Sequence, residues 1–93
     1  MKVLGIESST PVAAVALIDE EKLIAESFLN IEKTHSQRLM SMIDLVLKEA
    51  NIRIHQLDGI AVSMGPGSFT GLRIGMTTAK FLAWSLSKPL VGI

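Results

Sequence analysis

The segment best suited to chemistry is a glycine-rich stretch at residues 65–71, GPGSFTG. It follows an apolar run and precedes a helical pattern, and such a loop can present backbone N–H groups and a helix N-terminus to an anion. It is not a P-loop, because no lysine follows its last glycine. It also fits a dinucleotide-binding motif poorly, because serine and lysine stand at 87–88, about where that motif would carry an acidic residue. Gly65, Gly67 and Ser68 are candidate phosphate-binding residues; the alternative, which the local pattern favours, is that the glycines only allow a tight turn.

A second polar group follows the first apolar run and consists of Glu7, Ser8, Ser9 and Thr10. Hydroxyls and backbone amides at this position could hold phosphate, or Mg²⁺ through water. The alternative is that these residues, with the proline after them, only form the bend of a hairpin.

The two histidines do not predict a metal site. His35 lies at the start of a predicted helix, and a second ligand on the same helix face would be expected four residues later, where Leu39 stands. The chain has no cysteine, which excludes disulfides and thiolate ligands, and no spacing fits a Ser-His-Asp triad. We predict neither a metal ligand nor a catalytic residue.

The elements that position these groups must fit into 93 residues, which is enough for one domain. Nine basic residues balance nine acidic ones, and this argues against a protein that binds nucleic acid by itself. Any contact with RNA would then go through another subunit. No apolar run approaches the roughly 18 residues of a membrane span, the start does not fit a signal peptide, and we predict a cytoplasmic protein without a membrane segment.

The pattern of apolar runs and turns predicts the element order β-β-β-α-β-α-β. The first three strands should form an antiparallel meander, and a capping box with Thr34 as N-cap should open the first helix. The predicted strands cover 2–6, 12–18, 22–29, 59–64 and 90–93, and the predicted helices cover 34–50 and 70–87.

Both predicted helices carry more apolar surface than one sheet can cover. On a helical wheel, the first has a core stripe at Leu39, Met42, Ile43, Val46 and Ala50, which Met40 and Leu47 widen. The second has small residues at Gly75, Ala79 and Ala83 on one side and large ones at Ile74, Phe81 and Trp84 on the other. Apolar residues make up 48% of the chain, a surplus that suggests a partner.

Taken together, three segments resemble the bacterial TsaB (YeaZ) family: residues 3–10 (VLGIESST), 34–39 (THSQRL) and, above all, 65–75 (GPGSFTGLRIG). The resemblance spans the whole chain in order. It implies the α/β fold of the actin-like ATPase and sugar kinase superfamily, which consists of two RNase H-like halves with mixed sheets. Residues 1–93 would form the first half as a single domain.

The resemblance also implies a function. The family is the non-catalytic subunit of the complex that installs threonylcarbamoyl on N6 of the tRNA adenosine beside the anticodon. Its catalytic paralogue, TsaD, holds a metal through a His-x-x-x-His pair on the helix that corresponds to 34–50. Leu39 replaces the second histidine here, which favours a scaffold over the transferase and weighs against a glycoprotease-like metallopeptidase.

The partners that the resemblance implies are the TsaD-type paralogue and a TsaE-type ATPase that docks on the assembled pair. A homodimer is expected when the paralogue is absent, and tRNA would be contacted only indirectly. The family pairs through the two helices of this half. We place the contact surface at Met40, Leu47, Arg73, Ile74, Phe81 and Trp84.

Two other functions remain open. A kinase-like, nucleotide-dependent enzyme of the same superfamily would use the turn at 7–10 for phosphate and Mg²⁺, but such sites lie between two halves and no general-base carboxylate can be placed beside the turn. We therefore expect ATP or ADP only in an assembled complex. A Rossmann-type cofactor binder is disfavoured by the missing acidic residue and by the three leading strands.

Overall fold

The computed structural model describes residues 1–30, 36–67 and 69–93. In these ranges the chain forms one five-stranded sheet and two α-helices, in the predicted order. The elements are β1 (Lys2–Glu7), β2 (Val12–Asp19), β3 (Lys22–Asn30), α1 (Ser36–Glu49), β4 (Gly59–Val62), α2 (Phe69–Leu86) and β5 (Leu90–Gly92). The connection predicted between α1 and β4 contains a short 3₁₀ helix, Ile54–Gln56.

The sheet is mixed, with strand order β3-β2-β1-β4-β5. Strands β1, β2 and β3 pair antiparallel, as the predicted meander requires, while β4 and β5 run parallel to β1. The difference follows from the connections. Glu20 and Glu21, with φ of 52° and 64°, reverse the chain within two residues, whereas helix α2 carries it across the sheet between β4 and β5.

Both helices pack on the same face of the sheet and enclose one core. The buried strand residues on this face are Leu4, Ile6, Ala13, Val15, Leu17, Ile60 and Val62. The predicted stripe of α1 is confirmed, since Leu39, Met42, Ile43 and Val46 are buried and Ala50 is half-buried. The small residues Gly75, Ala79 and Ala83 of α2 are buried as well, so the backbone of this helix can lie close to the strands.

The structure corrects the sequence analysis in a few places. Leu47, which we placed on the contact surface, is only 6% exposed and belongs to the core. Strand β4 ends two residues before the predicted end, at Val62, and α2 begins one residue earlier than predicted, at Phe69. The predicted N-cap Thr34 and the neighbouring His35 lie outside the described residues. Neither described helix is both long and apolar enough to cross a membrane.

Candidate functional site

The two polar segments that the sequence analysis treated separately lie against each other. Strands β1 and β4 are parallel neighbours with Ile6 opposite Val62, so the turn after β1 and the glycine loop after β4 meet at one edge of the sheet. The N–H of Ser63 donates to the carbonyl of Ile6 at 2.9 Å and continues this pairing beyond the strands.

Ser8 connects this turn to helix α2. Its hydroxyl is buried and donates to the carbonyl oxygen of Gly71, in the first turn of the helix, at 2.6 Å. One helical turn further on, a Cβ at Gly75 would overlap the Ser8 hydroxyl. A Cβ at Gly67 would likewise overlap the backbone carbonyl of Ser9. At these two positions the glycines permit a close approach of the two segments, and this agrees with the alternative interpretation of the loop.

Glu7 is the charged group of the site. Its carboxylate accepts hydrogen bonds from the backbone N–H of Ser9, at 2.7 Å, and from the Ser9 hydroxyl. Burial raises the pKa of Glu7, but the hydrogen bonds from Ser9 and from the Ser63 hydroxyl outweigh it, so the pKa lies below its ordinary value. Glu7 is therefore an anion at neutral pH.

The predicted phosphate-binding groups are engaged with the protein itself. The Ser8 and Ser9 hydroxyls donate to Gly71 and Glu7, and the Thr10 hydroxyl donates to the carbonyl of Val12 at 2.8 Å. An anionic Glu7 beside them would repel phosphate. Ser68 lies outside the described residues, and phosphate binding at the loop glycines stays a prediction.

The hydrogen bonds of this arrangement support a structural role for its polar groups. Among the described residues, no three His, Cys, Asp or Glu side chains come together in a way that could hold a metal ion. The hydrogen bonds of Ser8 and Ser9 instead fix the end of β1 against the start of α2. Sequence analysis found both segments but missed this contact, because Ser8 and Gly71 are 63 positions apart and no local pattern connects them.

The predicted contact surface is largely exposed on the helices. Trp84 is 81% exposed and Phe81 is 58% exposed, both on the side of α2 that faces away from the sheet. Met40 and Arg73 are also exposed, and Ile74 is half-buried. The aromatic side chains therefore project from the helical layer into solvent.

The outer side of α2 also carries a shallow depression of about 220 Å³. It is lined by Thr70, Arg73, Ile74 and Thr77. Two of these residues, Arg73 and Ile74, were predicted for the contact surface. A concave patch about one to four helical turns from two exposed aromatic side chains is a suitable place for a protruding partner side chain.

Comparison with known proteins identifies the family. The family model described as "TsaD: tRNA N6-adenosine threonylcarbamoyltransferase" matches residues 22–93. The tRNA threonylcarbamoyladenosine biosynthesis protein TsaB of Bacillus subtilis is 40% identical over 93 positions, which cover the whole chain and 41% of that protein. A tRNA N6-adenosine threonylcarbamoyltransferase of Persephonella marina is 32% identical, but over 109 positions, which cover 32% of its length.

Solved structures agree with the sequence comparison. YeaZ from Pseudomonas aeruginosa superposes with a TM-score of 0.91 at 34% identity, over 99% of this chain and 43% of that one. The RuvC structure of Thermus thermophilus, at 12% identity and a TM-score of 0.66, shares the fold alone.

The lengths of these matches separate the two groups of relatives. The alignment with Bacillus subtilis TsaB is 93 positions long, which equals the length of this chain. The alignment with the Persephonella marina transferase is 109 positions long. The chain spans about two fifths of the length of the TsaB and YeaZ proteins that it matches. It belongs to the family described by the TsaD model and, within it, to the TsaB (YeaZ) group with its RNase H-like fold.

Proposed function

We propose that this chain takes part in tRNA threonylcarbamoyladenosine biosynthesis as a non-catalytic scaffold, and that it binds a TsaD-type catalytic paralogue through the outer faces of α2 and α1. The observation that carries this proposal is the exposure of two aromatic side chains, Trp84 and Phe81, on α2. Relatives named for this modification pathway support the biological context.

The energetics of an aromatic side chain favour an interface. A solvated helix normally presents polar residues to water, and Trp84 and Phe81 lie three positions apart, so that they form a continuous patch. Trp is among the residues that most often dominate binding energy, and truncation of a central one typically costs about 2 kcal/mol or more. Met40 on α1 and Ile74 on α2 add apolar surface to the same helical layer.

The scaffold role is supported by the residue that stands at a key position of α1. The family resemblance implies that the catalytic paralogue has its second metal ligand where this chain has Leu39. A leucine side chain cannot ligate a metal, and Leu39 is fully buried in the core instead of facing a site. The Glu7–Ser9 segment, with its internal hydrogen bonds, supports a structural role as well.

Substitutions at the aromatic patch test the proposal. Trp84→Ala and Phe81→Ala should each raise the Kd for a purified TsaD-type subunit about tenfold or more, measured by calorimetry, since loss of about 1.4 kcal/mol corresponds to tenfold in affinity. Leu23→Ala, which shortens an exposed apolar residue on β3, is the matched control and should leave the Kd unchanged. Unchanged affinity in both α2 variants, with folding confirmed by circular dichroism, would refute the proposed interface.

The other expectations for the complex stay predictions. They are docking of a TsaE-type ATPase on the assembled pair, a homodimer when the paralogue is absent, indirect contact with tRNA, a cytoplasmic location, and ATP or ADP bound only in the assembly. The kinase-like alternative is disfavoured, because the hydroxyls of Ser8 and Ser9 that it would use are already hydrogen-bonded within the chain.

A further inference from the structure

The outer edge of β3 is open in the described part of the chain. β3 stands first in the strand order β3-β2-β1-β4-β5 and, among the described strands, pairs only with β2. In an antiparallel pair, alternate residues bond to the partner strand, and the residues between them turn their N–H and C=O groups away from it. Residues 25–30 pair with β2 in regular register, so about half of them present backbone donors and acceptors at the outer edge.

This part of the edge lacks the features that protect a sheet from further pairing. Natural edge strands are commonly short, or they carry proline, lysine or a bulge. β3 is nine residues long and contains no proline. Its only lysine, Lys22, lies at its beginning, and the register shift opposite Leu17 and Ile18 also comes before residue 25. Residues 25–30 are therefore a template on which another extended segment can pair.

A groove runs beside this edge, between β3 and α1. Its volume is about 680 Å³, which is typical of sites that hold a ligand. Ser27 and Leu29 line it on the strand side, and Met42 and Leu45 line it on the helix side. Leu45 is 50% exposed. A strand added to β3 would turn every second side chain toward α1, because side chains alternate between the faces of a sheet, and an apolar one could cover Leu45.

Arg38, in the first turn of α1, is the one charged residue among the described residues that line the groove. Its side chain is exposed, and within the described ranges it forms no ion pair. A guanidinium binds a carboxylate through two parallel hydrogen bonds. The groove therefore complements an extended segment that carries one apolar side chain and one acidic side chain.

The same charges argue against a second copy of this chain as the occupant. If two copies paired through their β3 edges, the acidic residue that each copy brings in this stretch would be Glu26. Glu26 lies opposite Ala16, between the half-buried Ala25 and Ser27 on the helix side, so its side chain points to the other face of the sheet. Arg38 would then gain no carboxylate.

We propose that the groove between β3 and α1 binds an extended acidic segment of a partner protein, which adds to the sheet as a further strand. Backbone hydrogen bonds to β3 supply affinity, an apolar side chain packs on Leu45, and a carboxylate pairs with Arg38. Helix α1 lies over β2 and β3, whereas α2 lies over β1, β4 and β5. The groove is therefore separate from the aromatic patch at Phe81 and Trp84, and the proposal does not depend on the proposed function.

Random nine-residue peptides, which match the length of β3, test the proposal when they are displayed on phage and selected on the folded 93-residue chain. We expect the enriched sequences to alternate apolar and polar residues and to hold an acidic residue at a constant distance from an apolar one. The most enriched peptide is then synthesised with N-methyl groups on either of its two alternate sets of residues. One set should raise the Kd about tenfold or more and the other should not, because only alternate N–H groups face β3.

Substitutions in the chain locate the bound peptide. Leu45→Asp should raise the Kd of the enriched peptide about tenfold or more, and Arg38→Gln should raise it about fivefold. Met40→Asp and Arg53→Gln are the matched controls, because these residues line a different depression, and both should leave the Kd unchanged. Circular dichroism confirms that each variant is folded, and Leu45→Ala replaces Leu45→Asp if the latter is not.

Several results would overturn the proposal. One is the absence of any enriched peptide, or enriched peptides whose affinity changes neither with N-methylation nor with the groove substitutions. A dimer of the chain alone that Leu45→Asp dissociates, measured by light scattering, would show that a second copy fills the groove. Loss of peptide binding in a folded chimera, in which this chain replaces the matching part of Bacillus subtilis TsaB, would show that the longer chain covers the groove itself.

Discussion

At the residue scale, the contact between Ser8 and α2 determines where the helix lies on the sheet. The Ser8 hydroxyl donates to Gly71 and at the same time occupies the space in which any side chain at Gly75 would have to lie. A buried hydroxyl with a good partner does not move easily, because breaking the bond would leave polar groups unpaired. The serine and the glycine therefore depend on each other.

This dependence predicts the sign of a substitution. Helix propensity alone would make Gly75→Ala stabilising by about 1 kcal/mol. Overlap with Ser8 should reverse this, and we expect a net loss of about 1–2 kcal/mol in the free energy of unfolding, measured in urea. Ser8→Ala should relieve the overlap, since the new Cβ would be 3.4 Å from the Ser8 Cβ, an ordinary contact. Effects that simply add in the double variant would show that the two residues do not interact.

Glu7 makes the stability of the fold depend on pH. Its pKa in the folded chain is lowered, with burial opposing the hydrogen bonds from Ser9 and Ser63, so its contribution is present above the ordinary carboxyl pKa of about 4.5 and is lost as the pH falls through the folded value. Glu7→Gln should therefore destabilise the chain more at pH 7 than at pH 3. Urea unfolding at both values checks this, and a difference that grows toward acid would contradict it. Ser9→Ala should raise the Glu7 pKa in an NMR titration.

At the element scale, α1 shows how a neighbouring segment decides which residues are buried. Met40 and Leu47 both flank the core stripe, yet Leu47 is buried and Met40 is exposed. The chain after the helix folds back at this point, with the N–H of Ile52 donating to the carbonyl of Leu47 at 3.1 Å. Residues 52–54 then lie beside Leu47, and they line the same surface depression as Leu47 and Met40.

This difference gives a matched pair of substitutions on one helix. Leu47→Ala should lower the free energy of unfolding by about 2–4 kcal/mol, since it leaves a cavity in the core. Met40→Ala, which shortens an exposed side chain, should change the free energy of unfolding by less than about 1 kcal/mol. Thermal and urea unfolding of both variants compare them directly. Similar losses in the two variants would mean that Leu47 is not part of the core.

The order and type of the elements could be predicted from the sequence, because short apolar runs indicate the strands and apolar stripes of period 3.6 indicate the helices. The face of α1 that packs on the sheet followed from the same periodicity. Leu47, which the sequence pattern placed on the contact surface, is instead buried in the core, and residues 52–54 beside it have no periodic pattern that would have predicted this. The contact of Ser8 with Gly71 depends on the parallel pairing of β1 and β4, and spacing along the chain does not reveal such a pairing.

At the scale of the whole molecule, the chain has two apolar surfaces on opposite sides of one sheet. The helical side presents the aromatic residues Phe81 and Trp84, and the opposite side presents a trough over Gly5, Ala16 and Ala61. In the described part of the chain, helices cover one face of the five-stranded sheet, and apolar residues on the other face stay exposed. Partner binding at the helical surface would account for part of the apolar excess of a chain in which 48% of the residues are hydrophobic.

The most direct test of the scaffold account is size-exclusion chromatography with light scattering, on this chain alone and mixed with a TsaD-type subunit at micromolar concentration. The account predicts a defined one-to-one complex that Trp84→Ala weakens and Leu23→Ala does not. If neither the folded 93-residue chain nor a chimera in which this chain replaces the matching part of Bacillus subtilis TsaB forms a complex, the central claim is contradicted. A complex formed by the chimera alone would show instead that residues beyond this part of the family fold are needed to build the interface.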